Sequence, residues 1–161
     1  MKIKSLIEST AYFLLRAAAA VLRLMPLSWA LALGSCCGRV MYCIDARHRR
    51  QVYQNLKIAF GEKWPPAQVR RVTCRFFVRL GRDFAEFLCL PKLSLNWIKE
   101  RIELHNAPAI DELLKQGKGL ILMTMHYGNW ELSILKLRSM GYPSHAIFKV
   151  QERAAGFNQL M

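Results

Sequence analysis

The chain has 161 residues, 53% of them hydrophobic and 22% charged, with 24 Lys and Arg against 11 Asp and Glu for a formal net charge of +13. One ordinary domain of ~100–150 residues accounts for this length, so the numbers argue against a second full domain and exclude a disordered chain. The positive excess calls for an anionic counterpart, which leaves three classes: nucleic acid, an anionic membrane face, or an acidic substrate or carrier protein.

Residues 11–44, "AYFLLRAAAAVLRLMPLSWALALGSCCGRVMYCI", are nearly all apolar and are broken by Arg16, Arg23 and Arg39. The longest uncharged run, residues 24–38, has 15 residues, short of the ~20 that carry a helix across the hydrocarbon core. Crossing therefore needs snorkelling arginines. Arg16 and Arg23 are seven apart, on nearly the same helical face, as in a helix lying at a membrane surface. Residues 1–45 are expected to form a membrane anchor, monotopic or marginally spanning. The alternatives are a targeting segment, which the arginines and the lack of a small-residue cleavage site disfavour, and a buried core helix. Five cysteines, Cys36, Cys37, Cys43, Cys74 and Cys89, include no CxxC pair. Cys36 and Cys37 read as small packing residues, and the soluble part is expected to face a reducing cytoplasm.

A basic region follows, with ten Lys or Arg and the single acid Glu62 in residues 47–82. "RHRRQVYQNLKIAFG" predicts a helix from the spacing of Val52, Leu56, Ala59 and Phe60, closed by Gly61, and "WPP" breaks the chain. The next predicted helix, residues 67–90, carries Val72, Phe76, Leu80, Phe84 and Phe87 on one face. Arg71, Arg75, Arg79 and Arg82 form a second stripe. As a solvated face it would hold Arg79–Asp83 or Arg82–Glu86 pairs; as a functional face it would meet lipid headgroups or an acidic carrier protein. Nucleic acid comes last, since no helix-turn-helix, zinc-finger or RNA-binding aromatic signature accompanies the charge.

From residue 101 the pattern changes to strand, helix, strand, helix, strand. "RIELHN" is a short strand candidate, and Asn106 can cap a helix over 107–116 that tolerates Pro108 in its first turn and ends at Gly117. "GLILMTM" reads as a strand buried on both faces, Asn129 as the cap of the helix "WELSILKLRSM", and "PSHAIFKV" as a third strand. The expected fold class is α/β: a membrane-associated helix and a helical region, then the first strands of a mixed or parallel sheet. Three strands are too few for such a sheet, so the fold is expected to be incomplete and to continue past Met161 in a full-length relative.

The segment "MTMHYGNWELSI" puts His126 and Glu131 where the second strand would end, the place where open sheets of this class put their ligand crevices. On one continuous helix residues five apart would diverge by ~140°. A turn at Tyr127 and Gly128 can bring the two together. Glu131 would then fix the imidazole tautomer and stabilise the imidazolium formed when the ring takes a proton. No Ser or Cys lies between them, so the nucleophile would be a substrate hydroxyl. Amides at the helix start near Trp130 could face a developing oxyanion. From spacing alone a second reading stays open: an acid complementing a helix dipole and a histidine meeting a buried carbonyl. The pair lacks the third ligand a metal site needs.

"GKGLILMTMHYGNWELSILKLRSMGYP" closely resembles the signature block of the bacterial lipid A biosynthesis acyltransferases, the lauroyl/myristoyl transferase family. "RHRRQVYQNLKIAFGE" and "FFVRLGRDFAEF" resemble segments of the same family, so that the likeness covers nearly the whole chain. It implies a glycerolipid-acyltransferase-like sheet fold and an inner-membrane enzyme with its catalytic part on the cytoplasmic face. Such an enzyme moves a fatty acyl chain from acyl carrier protein to a hydroxyl of a phosphorylated glycolipid, a lipid A precursor. The family's general base and its orienting acid fall on His126 and Glu131. Asn129 and Lys149 are carried over as substrate-binding residues, and neither a metal nor a cofactor is implied. An anionic membrane, an acidic carrier and a phosphorylated acceptor all suit the charge of +13. Family members run to roughly twice this length, a complete domain of ~250–300 residues. Residues 46–161 are accordingly expected to be the N-terminal part of the catalytic domain.

Overall fold

The computed structural model describes residues 2–125 and 127–145, with side chains from Thr10 onward. Seven α-helices run through them: α1 (Lys2–Leu24), α2 (Leu27–Ile44), α3 (Ala46–Phe60), α4 (Pro66–Cys89), α5 (Leu95–Arg101), α6 (Ala107–Lys115) and α7 (Glu131–Ser139), with one 3-10 turn at Leu90–Lys92. The chain divides between Leu90 and Pro91 into two compact units.

In the first unit, α2 and α4 form the central antiparallel pair. The apolar stretch expected as one anchor is two helices, because α1 ends at Leu24 and Pro26, with φ −53° and ψ 140°, starts α2. Proline lacks the N–H that a continuing helix requires and biases the residue before it away from helical angles. α2 is long and apolar enough to cross a membrane by length and composition. It carries Trp29, Leu33, Val40 and Ile44 exposed.

The pair is held by glycine. A Cβ on Gly34 would fall 2.5 Å from the Gly81 oxygen and 2.6 Å from the Ala85 Cβ. One on Gly38 would overlap the Phe77 carbonyl, and one on Gly81 would overlap the Gly34 carbonyl. Small residues four apart let two helix backbones approach this closely. The seam continues into a buried cluster of Ala19 and Leu22 from α1, Ala30 from α2, and Ala85, Leu88 and Cys89 from α4. The predicted apolar stripe of α4 is therefore not its buried face: Phe76, Leu80 and Phe84 are exposed, while Val69, Thr73 and Phe77 are buried. Cys36 and Cys37 are exposed as well, and the packing positions of their segment belong to Gly34 and Gly38.

Basic side chains close helix C-termini, whose last carbonyls have no partner within the helix. The Arg23 Nε donates to the Leu88 carbonyl of α4 at 2.7 Å. Arg49 donates to the Tyr42 and Cys43 carbonyls of α2 at 2.5 and 2.9 Å, with its guanidinium 5.4 Å from the Tyr42 ring centre. At the other end of a helix, the Asp45 carboxylate accepts from the His48 N–H at 3.0 Å and from its ring Nδ1 at 2.6 Å, capping α3. Those bonds hold the Asp45 carboxyl below its ordinary pKa.

The second unit corrects the expected fold class. Among the described residues there is no strand and no sheet, and 74% of them are helical. "RIELHN" leaves α5 at Arg101 and passes into α6 without pairing, and residues 119–125 are irregular, with Ile121 90% and Met123 95% exposed. An apolar run becomes a strand only when a neighbour takes its N–H and C=O groups. The third predicted strand, "PSHAIFKV", has its last five residues outside the described ones.

The predicted helices of this unit are present. α6 starts after Asn106, but Asn106 sits in the left-handed region at φ 61° and caps nothing with its side chain. α7 ends in a Schellman motif, with Tyr142 N–H on the Leu137 carbonyl at 3.1 Å and Gly141 N–H on the Arg138 carbonyl at 3.0 Å. α7 packs on α5, and Leu137 of the one and Ile98 of the other are buried. Lys136 is also buried, at 7% exposure, and its Nζ donates to the Lys99 carbonyl in the last turn of α5 at 2.7 Å. The Tyr142 hydroxyl donates to Asp111 at 2.6 Å, which raises the phenol pKa above its ordinary value.

Candidate active site

Residues 127–130 lead through a bend into the helix that begins at Glu131. The Tyr127 N–H donates to the Met125 carbonyl at 2.8 Å. Gly128 follows at φ 59°, a backbone that side-chain-bearing residues rarely adopt. Trp130 is already helical at φ −60°, and Glu131 is the first residue of α7. The chain bends at Tyr127 and Gly128, where the sequence predicts a turn.

Of the four candidate site residues, two lie among the described ones. Glu131 is half-buried in the first turn of α7, where a carboxylate complements the helix dipole. Asn129 is half-buried two residues before it, and its carbonyl accepts from the Leu132 N–H at 3.0 Å. Its side chain is not the cap of α7, which has Trp130 at that position and no side-chain cap bond. His126 and Lys149 lie outside the described residues.

The first turn of α7 offers fewer amide donors than the sequence implies. The Leu132 N–H is held by Asn129 and the Ser133 N–H by the Trp130 carbonyl at 3.0 Å, so neither is open to an oxyanion in this arrangement. Among the described residues no three His, Cys, Asp or Glu side chains gather in a way that would hold a metal ion.

Sequence reading missed two features that the folded chain uses. The Gly34 and Gly38 pair was legible as a small-xxx-small motif in an apolar helix, but its partner Gly81 lies more than forty residues away. The use of Arg23, Arg49 and Lys136 on helix ends carried no local signal, because each carbonyl they meet belongs to another helix.

Neither the curated proteins nor the solved structures give a match to this chain. The sequence profile described as bacterial lipid A biosynthesis acyltransferase matches residues 1–161, all of the chain. The chain therefore belongs to the bacterial lipid A biosynthesis acyltransferase family.

Proposed function

We propose that this chain carries the base half of an O-acyltransferase site, moving a fatty acyl chain from acyl carrier protein to a hydroxyl of a phosphorylated lipid A precursor. The reading is supported above all by the family membership of the whole chain, joined to the bend at Tyr127 and Gly128 that leads into α7 with Glu131 at its start. His126 takes the proton from the acceptor hydroxyl as that oxygen attacks the carbonyl carbon of the acyl thioester. The C–O bond of the new ester forms, the C–S bond breaks, and the carrier thiolate leaves and is protonated. Glu131 holds the imidazole tautomer and stabilises the imidazolium between these events. Asn129 and Lys149 act in substrate binding, and no metal or cofactor takes part.

We extend the proposal to the two parts of the chain. Residues 1–45 anchor the protein at the bacterial inner membrane, with α2 as the apolar helix, and residues 46–161 are the N-terminal part of a catalytic domain on the cytoplasmic face. The anionic membrane, the acidic carrier and the phosphorylated acceptor are the counterparts of the +13 charge.

A second reading, a catalytically silent membrane-binding fragment, is favoured by one observation: residues 119–125 have no strand partner and expose Ile121, Met123 and Met125 beside the turn. One assay separates the two readings. The purified chain in detergent is given acyl carrier protein loaded with a medium-length chain and a lipid A precursor, with His126→Ala as control. Transfer that disappears in the variant supports the enzyme; no transfer from a chain shown by circular dichroism to be helical supports the silent fragment.

A further inference from the structure

A groove of about 310 Å³ lies between α2 and α4, lined by Ser35 and Arg39 of α2 and, from α4, by Arg75, Arg79 and Arg82 with Cys74 and Val78. Four arginines thus line one open concavity. Arg79 is paired with Asp83 at 3.0 Å. Among the described residues Arg39, Arg75 and Arg82 make no ion pair.

Two ordinary explanations account for only part of such a cluster. Arg79, exposed and paired with Asp83, is what a solvated face holds, but a solvated face does not require that arginines from two different helices line one cavity. Snorkelling from an apolar face would put the arginines along its rim. Counted around α4, however, Arg75, Arg79 and Arg82 centre roughly 130° from the exposed stripe of Phe76, Leu80 and Phe84. The groove and the stripe are separate surfaces of the same helix pair.

We infer that this groove binds a phosphate group, as carried by a lipid headgroup or as a free anion. The guanidinium is planar and presents paired N–H donors that match phosphate oxygens, and it keeps its charge at any physiological pH. A cavity of about 310 Å³ suits a headgroup-sized ligand better than a helix of an acidic protein. Ser35 is not counted as a donor, because its hydroxyl already donates to the Leu31 carbonyl at 2.8 Å. The inference concerns binding alone and stands whether or not the chain transfers acyl groups.

The test compares the full chain in neutral detergent with two double variants that remove equal charge: Arg75→Gln with Arg82→Gln in the groove, and Arg47→Gln with Arg50→Gln on an exposed part of α3. Each is titrated with mixed micelles of phosphatidylglycerol and, separately, with inorganic phosphate, after circular dichroism has shown native helix content. The single change Arg39→Gln, on the other helix, serves as an independent groove variant. The expected result is saturable binding that weakens ~10-fold or more in the groove double variant and also weakens in Arg39→Gln, with the α3 variant close to the native chain. Binding of inorganic phosphate with the same variant pattern would make the bare anion a sufficient ligand. Binding of the lipid alone would make the headgroup with its chain the ligand. Equal losses in the two double variants would mean that binding follows net charge, and would overturn the inference. So would native binding by the groove variants, or displacement of the lipid by polyglutamate but not by phosphate.

Discussion

Gly81 of α4 lies backbone to backbone against Gly34 of α2, so close that a Cβ on Gly34 would stand 2.5 Å from the Gly81 oxygen. The central helix pair therefore depends on the absence of side chains at this crossing, and Trp29, Leu33 and Val40 of α2 and Phe76, Leu80 and Phe84 of α4 are left exposed.

Replacing Gly81 by Leu should destabilise the first unit by ~1–3 kcal/mol or more, since a packed seam answers extra volume with off-rotamer side chains and backbone shifts. Ala32→Leu, on an exposed position of α2, should change stability by no more than ~0.5 kcal/mol. Thermal unfolding followed by circular dichroism in one detergent gives both values. Equal midpoints for the two variants would show that the seam does not hold the pair.

Lys136→Met keeps most of the buried volume of the lysine stem and removes the donor to the Lys99 carbonyl. The carbonyl is then left without its partner, at an expected cost of ~1–3 kcal/mol. Denaturant unfolding should show this loss, whereas Arg138→Met, exposed on the same helix, should stay within ~0.5 kcal/mol of the native chain.

Asp45 gives a pH dependence of known sign. Its folded pKa is below the ordinary 3.8, chiefly because it accepts from the His48 N–H. Its contribution to stability is therefore present above the unfolded value and is lost as pH falls through the folded one. Asp45→Asn retains a capping acceptor without the charge, so its stability should lack this acid-dependent component. Melting curves between neutral pH and strong acid check this; parallel losses in the native chain and the variant would contradict it.

Glu131→Gln tests the positioning role directly in a chain that transfers acyl groups. A carboxylate beside an imidazole raises the imidazole pKa, and an amide does not. Turnover should fall, and the rise of kcat/KM with pH should move to lower pH, as a general base with a lowered pKa requires. A lower rate with an unmoved pH profile would assign Glu131 a purely structural part in the first turn of α7.

Local features were legible because they depend on neighbours in the sequence. Pro65 and Pro66 mark the start of α4, the periodicity of 47–60 marks α3, and Gly128 marks the bend before Glu131. The "HYGNWEL" block was enough to point to the family that the whole chain matches. The sheet expected from the sequence is absent among the described residues: an apolar run such as "GLILMTM" has the composition of a buried strand, but its backbone needs a pairing partner that composition does not supply.

By itself the sequence determined the boundaries of α3, α4, α6 and α7, the bend at Tyr127 and Gly128, and the family, since each rests on proline, glycine and periodic signals or on a short motif. Only the tertiary structure decided that the close face of α4 is Gly81 and Ala85 rather than Phe76 and Phe84, and that Arg23 and Lys136 close the ends of other helices. It also gathered Arg39 with Arg75 and Arg82 around one groove. The physical reason is common to all three: which face is buried, and which charge meets which carbonyl, depends on distances between residues that the chain separates by dozens of positions, and helical periodicity constrains only one helix at a time.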